Sequence, residues 1–157
     1  MGEEWTGQVV AIQITSNAGE KMISVDEVKA IAGKGLEGDR YLNGKGKFSD
    51  QPGLARQLTL IELETIEALR REKTIELSPL ESRRNIVTRG VPLNHLVDKR
   101  FRLGKVTARG IKLCEPCDYL EEVTQKKIVG ALTHRGGLRA EILEGGIIKV
   151  GDKIQPA

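Results

Sequence analysis

The chain has 157 residues, of which 30% are charged and 39% hydrophobic, and its formal net charge is +3. These values are typical of one soluble globular domain, and they exclude a disordered or membrane-embedded chain. No apolar run approaches the about 20 residues of a membrane helix, and the start, MGEEWTGQ, lacks the features of a secretory signal. With 3% aromatic residues and no basic tail, the composition also disfavours nucleic acid as a partner. We therefore expect a cytoplasmic protein with a single domain over residues 1–157.

The first third of the chain predicts strands followed by a loop. Residues 5–15 are rich in β-branched side chains and are followed by a turn at residues 17–19. Residues 21–32 are compatible with a strand or a helix, and the preceding turn favours the second strand of a hairpin. Residues 33–48 contain five glycines, which predicts a loop.

The central part contains the clearest helix signal. Leucine and isoleucine recur at helical spacing over residues 59–71, after a capping-box pattern of Thr59 and Glu62. Residues 78–81, SPLE, predict a second capped start of a single turn. Residues 85–88 predict a short strand, and residues 91–98 a turn or short helix.

The last third again favours strands. Residues 101–113 have strand character interrupted by Gly104 and Gly110, and residues 118–132 are compatible with a helix. Residues 138–145 and 147–154 predict a closing hairpin. Many short strands with turns between them and one strong helix predict a β-rich, mixed α/β fold, either a barrel or a sandwich with helical insertions.

A glycine pattern in the first loop does not predict a dinucleotide site. Gly33, Gly35 and Gly38 form a literal G-x-G-x-x-G, but no helical pattern follows, and a dinucleotide site needs the motif at a strand-to-helix turn. Two alternatives remain open. The loop carrying Asp39 and Arg40 lies over a pocket, or it is a plain surface loop.

Both cysteines of the chain, Cys114 and Cys117, lie in the stretch LCEPCDYL. A disulfide between such close neighbours adds little stability, and a thioredoxin-like site requires a βαβ context that is missing here. A zinc site would need His95 and His134 in addition to both cysteines, without the usual histidine spacing. The remaining uses are a thiolate that binds a soft metal or carries sulfur, and a pair of small buried apolar residues.

Two basic clusters are candidates for binding an anion. Arg83, Arg84 and Asn85 lead directly into a predicted strand, so at least one of these side chains faces inward or lines a cavity, and an inward arginine needs an anionic partner. His134 and Arg135 precede two glycines, a combination able to hold a phosphate through the guanidinium and accessible backbone N–H groups. The alternative for each cluster is a solvated surface.

Taken together, these motifs resemble the MOSC domain, which is named for the C-terminal domain of molybdenum-cofactor sulfurases. Each motif is weakly specific, whereas the ordered set covers nearly the whole chain. The matching stretches are GLEGDRY (35–41), RQLTLIE (56–62), RRNIVTRGVPLNHLVDKRFRLG (83–104), LCEPCDYL (113–120), RGGLRAEILEGG (135–146) and IKVGDKI (148–154).

The resemblance implies a MOSC-like β-barrel with a few short helices and a site for the molybdenum cofactor, a phosphorylated pterin dithiolene. Cys117 matches the family's cysteine, proposed as molybdenum ligand or sulfur carrier, which leaves Cys114 as a neighbour or second ligand. The resemblance also places the phosphate at the arginines before the N-I-V strand, and the loop at residues 35–41 over the site. The expected cofactor-binding residues are Arg83, Arg84, Asn85, His134, Arg135, Asp39 and Arg40.

The resemblance also suggests two reactions. Full-length sulfurases add a pyridoxal-phosphate domain, for which we expect no room in this chain, so sulfur transfer would need a separate donor protein. Related proteins reduce N-hydroxylated compounds with electrons from partner proteins, and this sequence contains no flavin or iron–sulfur ligand motif of its own. The alternative is a non-catalytic barrel that binds zinc or a partner, with a structural cysteine pair.

Overall fold

The computed structural model of the protein describes residues 4–17, 19–40, 42, 57–114, 124, 126 and 129–157. The strands are β1 Gly7–Ile14, β2 Ile23–Val25, β3 Glu27–Ile31, β4 Gly35–Leu36, β5 Leu58–Glu62, β6 Ile86–Arg89, β7 Arg100–Leu103, β8 Val106–Leu113, β9 Leu138–Glu144, β10 Gly146–Lys149 and β11 Lys153–Pro156. The helices are α1 Leu63–Lys73 and α2 Val129–Leu132, with 3-10 turns at Leu80–Ser82 and Leu93–His95. Among the described residues, none of the helices has the length and apolar character needed to span a membrane.

Seven strands form a closed β-barrel. They pair in the order β1, β11, β7, β8, β9, β5 and β6, and β6 pairs back with β1. A ring with an odd number of strands cannot alternate in direction throughout, so one neighbouring pair must be parallel. That pair is β5 and β6, and the connection between them contains α1, as expected because parallel strands need a crossover. The predicted β-rich fold with a few short helices is confirmed as a barrel.

The barrel interior is filled by side chains that alternate along each strand. In β7, Phe101 and Leu103 are fully buried, whereas Arg100 and Arg102 are exposed. Leu58 and Leu60 of β5 belong to the same buried cluster as these inward-facing residues. The interior of the described barrel strands is therefore a packed core, which leaves the ends and loops of the barrel as the places for a binding site.

The predicted closing hairpin is wrong. A second sheet of three strands has the order β10-β3-β4, so β10 pairs with β3 and not with β9. The physical reason is that β9 already pairs with β8 on one edge and with β5 on the other. The predicted hairpin partner at residues 21–32 is confirmed for β2, which pairs antiparallel with β1, whereas the rest of that segment forms β3 in the second sheet.

The predicted helix begins four residues too early. Residues 58–62 are β5, and α1 starts at Leu63. Thr59 does not cap the helix, because its hydroxyl accepts a hydrogen bond from the Asn85 backbone N–H at 3.0 Å. By contrast, the predicted capped turn at residues 78–81 is confirmed, with Ser78 and Glu81 bonded reciprocally. Most of the predicted helix at residues 118–132 lies outside the described residues, apart from Thr124, Lys126 and α2.

Gly110 of β8 is in close contact with the segment that precedes β7. Its N–H donates to the Lys99 carbonyl at 3.0 Å, and its carbonyl accepts from the Asp98 N–H at 2.8 Å. A Cβ added at Gly110 would overlap the Leu96 carbonyl oxygen. We expect Gly110→Ala to lower the free energy of unfolding by about 1–3 kcal/mol or more, because the backbone there must move.

Urea unfolding followed by circular dichroism measures this change. Gly130→Ala is the matched control, because that exposed glycine of α2 has open space around its Cα. Alanine there should leave stability unchanged or raise it by up to about 1 kcal/mol. Equal losses at the two positions would contradict the described packing of Gly110.

Candidate functional site: a basic cleft at one end of the barrel

Arg84 connects three segments that converge at one end of the barrel. It precedes β6, Cys114 follows β8 and Gly136 precedes β9. The Arg84 Nε donates to the Gly136 carbonyl at 2.8 Å, and its Nη2 donates to the Cys114 carbonyl at 3.3 Å. Arg84 is only 8% exposed. The expectation that an arginine here faces inward is confirmed, but its partners in the structure are two backbone carbonyls in place of the expected anion. This arginine fixes the point at which the chain enters the cysteine motif.

Gly137 permits this convergence. Its φ is +115°, and a Cβ at this position would overlap the Leu60 carbonyl oxygen of β5. Its own carbonyl accepts the Cys114 N–H at 2.7 Å. Glycine is therefore required at the start of β9 both for the backbone conformation and for the close approach of β5.

Asp39 and Arg40 lie beneath this end of the barrel, and the alternative of a plain surface loop is wrong for them. Both are buried, and the Arg40 Nη1 is 3.2 Å from the Asp39 Oδ1. Asp39 also accepts the Thr15 N–H at 3.2 Å, and the Arg40 Nη2 donates to the Arg83 carbonyl at 3.2 Å. This buried pair therefore supports the backbone of Arg83 from within the protein.

Arg83 has an unusual backbone conformation that directs its side chain. It ends the 3-10 turn Leu80–Ser82 with φ +58°, a left-handed conformation that is costly for residues other than glycine. Its Nη1 donates to the Glu20 carbonyl at 2.6 Å. The contacts of its backbone and side chain hold Arg83 in this conformation, beside residues 19–22.

A cleft of about 490 Å³ opens at Arg83. The volume falls in the range of sites for small organic ligands and cofactors. Lys21 and Arg83 are its positively charged residues in the described part of the chain, Glu81 is its carboxylate, and Met22 and Leu80 supply apolar surface. The described lining residues are Gly19, Lys21, Met22, Ser78, Leu80, Glu81, Arg83 and Thr124. This arrangement suits a ligand with an anionic group and an organic body.

Glu81 is held as a carboxylate by its neighbours. Partial burial alone would raise its pKa, but the hydrogen bonds from the Ser78 backbone N–H and the Lys126 ammonium outweigh that effect and hold the pKa of Glu81 below its ordinary value. A second cleft of about 430 Å³ adjoins the first and shares Ser78 and Glu81 with it. Lys126 lines this second cleft.

The Asn85 side chain is bonded to two neighbouring strands. Its Oδ1 accepts from the Thr59 N–H and hydroxyl, both at 3.1 Å, and its Nδ2 donates to the Gln13 carbonyl at 3.1 Å. Asn85 is fully buried. The predicted contact of Asn85 with a cofactor stays a prediction, and the structure gives this side chain the task of joining β1, β5 and the start of β6.

His134 and Arg135 do not line the cleft. The Arg135 Nη1 is 3.1 Å from the Glu72 Oε2 of α1, and its Nε donates to the Ala131 carbonyl at 2.8 Å. The His134 carbonyl accepts the Asn94 side-chain amide at 2.7 Å. The guanidinium of Arg135 is therefore paired with the Glu72 carboxylate. The predicted role of this cluster in phosphate binding stays a prediction.

Cys114 is a free, buried thiol with 1% exposure, which is the behaviour of a small apolar residue. Cys117 lies outside the described residues. A zinc site using all four candidate ligands would bring Cys114, His95 and His134 together, but the described residues contain no group of three or more side chains able to hold a metal. The four-ligand zinc interpretation therefore has no support from the described part of the chain.

Sequence reasoning missed Lys21, Ser78 and Thr124 as lining residues of the cleft. Lys21 follows a turn and starts a predicted strand, so its pattern is that of an ordinary exposed lysine. Its significance depends on Arg83, which is distant in sequence and adjacent in the fold. The usable signal in the sequence was the turn predicted at residues 17–19, which implies a chain reversal shortly before Lys21.

Comparison with known proteins identifies the family. The MOSC domain profile matches residues 43–155, and no curated protein sequence matches the chain. Three bacterial crystal structures share the fold: YuaD from Bacillus subtilis (17% identity, TM-score 0.79, 96% of this chain and 97% of that one), YiiM from Geobacillus stearothermophilus (13%, 0.72, 96% and 75%) and YiiM from Escherichia coli (19%, 0.67, 99% and 70%). The chain belongs to the MOSC domain family, as its motifs predicted.

The internal contacts of Asn85 lead to a stability prediction. Asn85→Ala leaves the buried Thr59 N–H and Gln13 carbonyl without their side-chain partner, and each such group costs about 1–3 kcal/mol. We expect a loss of about 3 kcal/mol in the free energy of unfolding, measured by chemical denaturation. Asn94→Ala is the control, because that exposed amide makes one bond to a backbone carbonyl and should cost less than about 1 kcal/mol. A fully stable Asn85→Ala variant would contradict the structural role.

Proposed function

We propose that this MOSC protein binds the molybdenum cofactor in the basic cleft, with Cys117 supplying a thiolate to the metal or carrying sulfur. The observation that supports the proposal is the position of the cleft. Its positive side chains, Lys21 and Arg83, lie at the barrel end where Arg84 holds the start of the cysteine motif. A phosphorylated metal cofactor requires positive charge for its phosphate and a ligand for its metal, and the cleft and the neighbouring cysteine motif offer both.

The phosphate end fits the described residues. Lys21 is exposed and carries a compact, mobile charge, whereas Arg83 is nearly buried and held in place by backbone contacts. A fixed guanidinium and a flexible ammonium lining one cleft are suited to a phosphate dianion. Arg84 does not line the cleft, but its buried positive charge adds to the positive potential at this end of the barrel.

The metal end depends on the cysteine motif. Three residues of extended chain span at most about 11 Å, so Cys117 stays within that distance of the described Cys114. Thiolates are ligands for soft metal centres, and metal binding deprotonates a thiol outright. Because Cys114 is buried and its backbone is bonded to Gly137 and Arg84, we assign it to packing and Cys117 to the ligand role.

The bound cofactor would supply two-electron redox chemistry, namely oxygen-atom removal from N-hydroxylated compounds, or a site for cofactor sulfur. The residues of the chain hold the phosphate through Lys21 and Arg83, present the Cys117 thiol, and shield one side with the apolar surface of Met22 and Leu80. Electrons or sulfur would come from separate proteins. Asp39 and Arg40 act as support, since they bond the backbone of Arg83.

Loading of the protein in a cofactor-making host tests the phosphate site. We expect Lys21→Ala to weaken cofactor binding by about tenfold, because one charged hydrogen-bond donor to the phosphate is lost. Molybdenum measured by mass spectrometry and pterin measured by fluorescence should fall together. Lys105→Ala, at an exposed lysine in the β7–β8 turn, should retain both. Folded wild-type protein that carries neither molybdenum nor pterin would contradict the proposal.

The two cysteines should behave differently. Cys117→Ala removes the proposed ligand and should lower the molybdenum content severalfold, whereas Cys114→Ala removes one buried sulfur and should act on stability. Molybdenum per folded protein and the unfolding midpoint, measured on both variants, separate these effects. Equal molybdenum content in wild type and Cys117→Ala would overturn the ligand role of Cys117.

A further inference from the structure

An ion pair lies where the two clefts share Glu81. The Lys126 Nζ is 2.9 Å from the Glu81 Oε1, and it also donates to the Glu76 carbonyl. Glu81 lines both clefts, and Lys126 lines the second. The pair is partly exposed, with about a third of each side chain accessible. A carboxylate at the edge of a cleft for anions should weaken anion binding, because like charges repel.

The carboxylate is there because the fold needs it. The Glu81 Oε1 accepts the Ser78 N–H at 3.0 Å, and the Ser78 hydroxyl accepts the Glu81 N–H at 3.2 Å. This capping box starts the 3-10 turn that ends at Arg83. Glutamine at this position would make the same cap without the charge. The structure therefore requires a side-chain acceptor at residue 81, and the negative charge accompanies it.

Lys126 offsets that charge. Among the described residues that line the first cleft, Lys21 and Arg83 contribute two positive charges and Glu81 one negative charge. With the Lys126 ammonium in contact with Glu81, the group of four carries a net charge of two positive. Without it, the net charge falls to one, and an incoming anion meets an uncompensated carboxylate at the rim.

We propose that Lys126 determines the anion preference of the cleft by neutralising Glu81. This inference rests on the proposed function, in which the ligand presents a phosphate to Lys21 and Arg83. Lys126 does not itself line the first cleft in this arrangement. It acts through Glu81, and its contribution is electrostatic, so the Glu81 charge and the Lys126 charge should cancel in any measurement of anion affinity.

A double-mutant cycle tests the inference on cofactor-free protein, with inorganic pyrophosphate as the probe and titration calorimetry at low ionic strength. Lys126→Met keeps the apolar stem and should weaken pyrophosphate binding by about threefold to tenfold. Lys126→Arg keeps the charge and should bind like wild type. Glu81→Gln keeps the cap and should bind as tightly as wild type or more tightly. The double variant Lys126→Met with Glu81→Gln should return to wild-type affinity.

Three controls separate the local charge effect from a general loss of positive charge and from unfolding. Lys105→Met removes an exposed lysine in the turn before β8, at the opposite end of that strand from Cys114, and should leave pyrophosphate affinity unchanged. Added salt should shrink the difference between Lys126→Met and wild type, since partly exposed charges are screened. Thermal unfolding of each variant verifies that the affinities compare folded proteins.

Three results would overturn the inference. Wild-type affinity in Lys126→Met would show that Glu81 does not need compensation. A double variant as weak as Lys126→Met would show that Lys126 acts by holding the chain and not by charge. Wild-type protein that binds no pyrophosphate would remove the anion preference itself, whereas the proposed function is judged separately by the molybdenum and pterin content of protein made in the loading host.

Discussion

The buried guanidinium of Arg84 is the interaction on which the geometry of the candidate site depends. It bonds the carbonyls of Gly136 and Cys114, and so it joins the entry to β6, the exit from β8 and the entry to β9. Breaking such a bond inside a protein is expensive, because the carbonyl and the charge both lose their partner. The start of the cysteine motif is consequently held at a defined point of the barrel end.

The surrounding buried polar residues serve the same end of the barrel. Asn85 joins β1 and β5 to the start of β6, and the Asp39–Arg40 pair supports the Arg83 backbone. Polar groups buried at this density are satisfied mainly by one another and by backbone. They leave Arg83 and the exposed Lys21 beside the cleft, so a buried polar network supports the charged side chains that line it.

Much of the strand content was predictable, because β-branched residues and turn signals mark it locally. Two errors show the limit. Leu60 continues the helical spacing of Leu63 and Ile66 but also fits a buried strand, and only the pairing of β5 with β6 and β9 decides between the two. The assignment of residues 138–154 as a hairpin failed because no local pattern shows that both edges of β9 are already paired.

For the site, the sequence predicted that at least one of Arg83 and Arg84 faces inward, because both precede a strand, and the family motifs predicted the fold. The burial of Asp39 and Arg40 was not predictable, because their partners Thr15 and Arg83 lie 24 and 43 residues away. Lys21 is an ordinary lysine whose own chemistry gives no signal. Sequence reasoning finds residues whose own chemistry is unusual, and it misses ordinary residues that become important through their neighbours.

The central claim is that the basic cleft and the cysteine motif form one site for a phosphorylated molybdenum cofactor. The most direct test is a crystal structure of protein purified from a cofactor-making host, with anomalous diffraction at the molybdenum edge. We expect a molybdenum peak at bonding distance from the Cys117 Sγ and a phosphate beside Lys21 and Arg83. A molybdenum peak away from the cysteine motif, or a phosphate bound outside this cleft, would contradict the claim.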